Sequence, residues 1–149
     1  MAEKHNEAKE YLQQVKMCDV HINNRLEELA RLKALATKIT STWSSEPGGG
    51  SGNQDKLGDA VAKIIDLQQE INEAVDAFVG KKNEVREVLE QLTNADQLGL
   101  LYKVYFQYQT LEQFACETGY TYRNVCYIHG KALQEVDRLL RIASSGNRR

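Results

Sequence analysis

Apolar residues at Leu57, Ile64, Ile71, Phe78, Val85 and Leu92 recur every seven positions over five heptads, and no other feature of the chain restricts its fold so strongly. A seven-residue repeat keeps one stripe on one side of a helix, whereas a strand alternates its side chains every two residues. Val61, Leu67, Ala74, Val75, Val88 and Leu89 widen the stripe into a seam for a partner helix. Lys81 and Lys82, beside Gly80, interrupt the seam and are expected to mark a kink or the end of the partner helix.

A candidate partner lies upstream. Between about Ala8 and Ile39, the residues Tyr11, Val15, Cys18, Ile22, Leu26, Leu29, Leu32, Ala36 and Ile39 recur at steps of three and four. Glu27, Glu28, Arg31 and Lys33 fall largely off this stripe, as a solvated face requires. A helix of this length extends roughly 45 Å, which suits a hairpin or a dimer seam. The intervening stretch, residues 41–55, carries the single proline and a run of glycines and serines, and is expected to be a flexible loop. Two long amphipathic helices joined in this way fold back most simply as an antiparallel, coiled-coil-like hairpin over residues 1–92. Two helices alone bury only one stripe each, so the hairpin is also expected to offer a surface for a second copy or another protein.

Composition supports an all-α reading. With 42% hydrophobic residues a core can form, but one Pro, three Phe and one Trp leave little for a β-sandwich or barrel. No run of 18 apolar residues exists and the first residues are polar, so neither a membrane span nor a signal peptide is expected, and the expected location is the cytoplasm. Cys18, Cys116 and Cys126 are odd in number and fit no disulfide framework.

The net charge of −2 hides an asymmetry, because residues 119–149 carry +4 and the first 118 residues −6. Any phosphate contact should therefore come from the C-terminal third. Residues 93–149 read as a three- to four-helix unit. Thr93-Asn-Ala-Asp96 is a cap, a short apolar helix follows through Tyr105, and Thr110-Leu-Glu-Gln113 is a capping box that starts another helix. That helix carries Phe114 and Ala115 and stops at Gly119; a last helix begins at Thr121 and carries Val125, Ile128, Ala132, Leu133, Val136, Leu139 and Leu140. The spacing of small Ala115, turn-forming Gly119, a plugging Tyr120 and the pinning residues Val125 and Ile128 fits a helix-turn-helix.

The residues then expected on the exposed start of the last helix are Thr121, Tyr122, Arg123, Asn124, Cys126, Tyr127 and Lys131. Arg can pair bidentately with guanine and Asn with adenine, Tyr can meet phosphate or a thymine methyl, and Lys131 suits phosphate. Arg138 and Arg141 are further phosphate candidates, whereas Arg148 and Arg149 read as a solvated tail.

Residues 110–133, closing on Ala132-Leu133 after Ile128, resemble region 4 of the sigma-70 family. Tyr11-Leu12, Leu35-Ala-Thr37, Ile39-Thr40, Ile64-Ile-Asp-Leu67 and Glu70-Ile-Asn72 further resemble a family of phage and prophage proteins of Gram-positive bacteria, over roughly residues 8–142. The resemblance implies a small regulator akin to ArpU-type proteins, which binds double-stranded DNA and recruits the host RNA polymerase. The exposed Tyr122, Cys126 and Tyr127 depart from the charged residues usual in region 4, so no DNA sequence preference carries over. A small-terminase-like packaging protein and a sigma mimic that occupies polymerase without touching DNA are the rival readings.

Enzymatic chemistry and cofactors are not expected. The glycines at 48–50 and 52 lack the strand and the Lys-Ser/Thr of a phosphate loop. Glu7, Glu10, Glu27 and Glu28 sit on helix surfaces. Cys18/His21 and Cys126/His129 are C-x-x-H pairs, but nothing in the sequence brings them together as a metal site, and they read as small thiols with surface histidines.

Overall fold

Both apolar stripes form helices, α1 (Asn6–Ser45) and α2 (Ser51–Leu89), which pack as a long helical hairpin. The structure is a computed structural model that describes residues 6–45 and 51–147. After the hairpin come α3 (Ala95–Leu101), a π-helical turn (Tyr102–Phe106), α4 (Leu111–Thr118) and α5 (Tyr122–Gly146). No strand occurs among the described residues.

The helices reach further than the loop expected over residues 41–55. Residues 41–45 continue α1 and residues 51–55 already belong to α2; residues 46–50, with Arg148 and Arg149, lie outside the described residues. The hydroxyls of Thr37, Thr40, Ser41 and Thr42 donate to carbonyls four residues back, at 2.9 to 3.1 Å. Each hydroxyl shares a carbonyl with the helix ladder, so these polar side chains are satisfied within α1. Gly80 does not break α2 either. Lys82 lays its ammonium over the rings of Phe78 and Phe106, at 5.6 and 5.5 Å, so the interrupted heptad is filled by cation–π contact.

The chain divides into two compact units, and the division does not fall at residues 92/93. One unit joins Met1–Met17 to Phe78–Arg149; the other is Cys18–Ala77. The reason lies in the core of the first. Ala8, Leu12 and Val15 of α1 and Val85, Leu89 and Leu92 at the end of α2 meet Leu101, Tyr105, Ala132, Leu133, Val136 and Leu139 in one buried cluster. The α1 seam is thus led by Ala8 and Leu12 in its first turns, with Tyr11 only half-buried beside them. In the second unit, Ile22 of α1 and Ala60, Leu67 and Ile71 of α2 are buried, and Arg25 pairs with Glu70. Leu26, counted on the seam by its spacing, is instead 45% exposed.

A smaller cluster holds the C-terminal helices. Leu100 of α3, Phe114 and Ala115 of α4 and Val125 of α5 are buried together, flanked by Val104, Leu111 and Ile128. The π turn between α3 and α4 is closed by Gln107 N–H donating to the Tyr102 carbonyl at 3.2 Å. Tyr108 follows with φ at +60°, a conformation unusual for a residue with a Cβ.

Candidate nucleic-acid interface

Local hydrogen bonds set each end of the helix pair formed by α4 and α5. The Thr110 hydroxyl accepts from Gln113 N–H at 3.1 Å, and the Gln113 side chain accepts from Thr110 N–H at 2.9 Å, completing the capping box. α4 ends where Gly119 takes φ +79° and donates its N–H to the Ala115 carbonyl at 2.9 Å. Only glycine adopts this left-handed conformation without a Cβ penalty, which is why the chain can turn so abruptly here. Two residues on, the Thr121 hydroxyl accepts from Asn124 N–H at 3.1 Å and starts α5.

α5 is sharply two-sided. Val125, Ala132 and Val136 are fully buried on one side. Arg123, Tyr127, Lys131, Gln134, Arg138 and Arg141 are all exposed. At about 100° per residue they share an arc of about 80° on the other side. Tyr127 is 64% exposed and its ring lies 5.6 Å below the Lys131 ammonium, so the aromatic and the cation form one surface feature. Arg138 is held by Glu135 one turn back, and the same hydrogen bond lowers the Glu135 carboxyl below its ordinary range. Arg123, Lys131 and Arg141 are therefore the better phosphate or base partners on this face. Arg138 and Arg141 stand on the same face as expected, and Gln134, three residues after Lys131, extends the row beyond the residues expected from sequence.

The remaining expected residues divide by position. Thr121 is exposed, but its hydroxyl is engaged as the cap. Asn124 is exposed beside Arg123. Tyr122 is 51% exposed, and a hydrogen bond with Cys126, with the negative charge of Glu112 nearby, raises its phenol above the ordinary value. Cys126 is half-buried, turned toward Tyr122 instead of standing on the open face. Tyr120 does not plug the turn. It is 38% exposed and donates its hydroxyl to Asp96 at 3.3 Å, tying the turn to the start of α3, while Phe114 and Val125 fill the space beneath.

No family model, curated protein or solved structure matches the chain.

His129, expected at the surface, is half-buried on the side of α5 away from the exposed row. Burial pushes the Tyr105 phenol up to about 12, so it keeps its proton, and its hydroxyl shares a 2.9 Å hydrogen bond with Nε2 of His129, with the two rings stacked. This bond occupies the histidine of the Cys126/His129 pair, and no group of three or more metal-ligating side chains occurs among the described residues. Burial, and then the charge of Lys9, lower the His129 pKa below its ordinary 6.5. The unfolded chain thus binds the proton more readily, and His129 destabilises the fold as pH drops below about 6.5. Thermal denaturation from pH 7.5 to pH 5.5 should show this loss, reduced in a His129→Gln variant; the two Glu carboxyls with lowered values, Glu117 and Glu135, act at lower pH. Equal pH dependence of variant and parent would contradict the assignment.

Proposed function

We propose that the chain is a DNA-binding transcription regulator resembling sigma-70 region 4, which reads a promoter through α5 and recruits RNA polymerase. The observation that carries this reading is the row Arg123, Tyr127 and Lys131, exposed along one side of a helix whose other side is fixed to α4 through the Gly119 turn. A helix held in that manner can enter a major groove about 12 Å wide, with its first turns nearest the base edges. Arg123 and Asn124 stand in those first turns and suit base contact. Lys131 and Arg141 stand further along and suit the sugar-phosphate backbone, where charge supplies affinity without sequence preference.

Salt titration on DNA from the protein's own genomic neighbourhood, against scrambled DNA, tests the reading. Arg123→Ala should weaken the preferred sequence by about 1–3 kcal/mol and relax specificity. Lys131→Ala should weaken all sequences alike and reduce the salt slope by about 0.9. Absence of binding at low salt would overturn DNA recognition; capture of polymerase by the same protein would then favour the mimic.

A further inference from the structure

The unit Cys18–Ala77 buries one side of each helix and leaves an apolar row on a second side. Arg25 and Glu70, 3.7 Å apart, mark one edge of the helix pair, and the same edge is lined by Lys38, Lys56, Asp59 and Lys63 together with Leu35 and Ile39. At about 100° per residue, the opposite edge carries Leu26 of α1 and Val61, Ile65 and Val75 of α2. These four are 45%, 43%, 58% and 39% exposed. Scattered apolar residues need no explanation, but a row at steps of three and four, with polar Gln68 and Asn72 completing it, has the form of a second helix seam.

The row is complementary to itself. The Arg25–Glu70 pair sets residues 25–26 of α1 level with residue 70 of α2. A two-fold axis crossing the helices at that level places Leu26 against Leu26 of a second copy and Ile65 against Val75. Gln68 then meets Asn72, two amides that can each donate and accept. On α1 the same axis sets Asp19 against Lys33, opposite charges that stand one heptad on either side of Leu26. A partner of unrelated sequence has no reason to share this palindrome, whereas a second copy satisfies it automatically.

We propose that this face joins two copies of the chain into an antiparallel four-helix bundle, α1 on α1 and α2 on α2. The proposal is independent of DNA binding, and its test contains no DNA. Sedimentation equilibrium of the full chain should give twice the 16.9 kDa chain mass. Ile65→Glu with Val75→Glu should raise the dissociation constant at least tenfold; both positions are exposed, so circular dichroism should show unchanged helix. Asp19→Lys or Lys33→Asp alone should weaken the dimer, and the two together should restore it. Leu26→Cys should cross-link two copies under mild oxidation where the parent, with its three native cysteines, does not. A monomeric parent, a dimer indifferent to Ile65→Glu with Val75→Glu, or no rescue by the double charge exchange would overturn the proposal.

Discussion

A fragment comprising residues 93–149 is expected to be unfolded in isolation, although it contains the whole helix-turn-helix. The cut removes Ala8, Leu12 and Val15 and the last turns of α2, and with them half of the cluster that covers Leu101, Tyr105, Ala132, Leu133, Val136 and Leu139. Burying a large apolar side chain contributes about 1.5–3 kcal/mol, and a small domain is stable by about 5–15 kcal/mol in total. Re-exposing even four of these side chains is therefore comparable to the entire stability. The smaller cluster around Phe114 has four buried members and cannot compensate. Circular dichroism and amide dispersion in NMR spectra of the fragment should show little helix and a collapsed spectrum. A cooperatively melting fragment would mean that the two clusters fold separately.

The same packing shows what could and could not be read in the sequence. The heptads of α2 were legible because periodicity survives without knowledge of the partner, and Ile71, Val85 and Leu92 are buried as their spacing requires. Leu26 was misplaced because a stripe predicts a face, whereas burial depends on where the neighbouring helix runs; in the unit Cys18–Ala77 the seam drifts toward Arg25 and Leu29. The Thr110 and Thr121 caps and the Gly119 turn were legible because each is a contact within a few residues of sequence. The Tyr105–His129 bond spans 24 positions and joins two elements, so no local pattern announces it. Likewise, the boundary at 92/93 followed the end of the heptad run at Leu92 and the cap at Thr93-Asn-Ala-Asp96, while the observed division follows a core drawn from both ends of the chain.

Of the candidate interface, the row of α5 was legible for Arg123, Tyr127 and Lys131 because exposure on a regular helix follows from arithmetic once the buried side is known. Cys126 and Tyr120 were not. Cys126 lies at the margin of the buried arc, where a small thiol can turn inward to Tyr122, and Tyr120 finds Asp96, 24 residues away, as a hydroxyl partner. Both departures come from side chains whose polar ends found partners that the local sequence does not specify.

Phe114→Ala should destabilise the smaller cluster by about 3–5 kcal/mol and release α4 while leaving the larger core folded. Phe114 is 5% exposed and is the largest of four buried members, next to Ala115, which has no side chain to spare, and Val125, which fixes α5. The cavity cannot be refilled from α4 itself, whose eight residues expose Glu112, Gln113, Cys116, Glu117 and Thr118. The large cluster, by contrast, takes nothing from α4, so its helices should keep their protection. Hydrogen exchange should therefore show fast amides in α4 and the first turns of α5, but slow amides around Leu89, Leu101 and Val136. If α5 reads DNA, affinity should fall together with that local protection, because the first turns that carry Arg123 and Asn124 are held in place by α4. Uniform loss of protection through both clusters would show a single cooperative unit, and unchanged exchange in α4 would show that Phe114 does not anchor it.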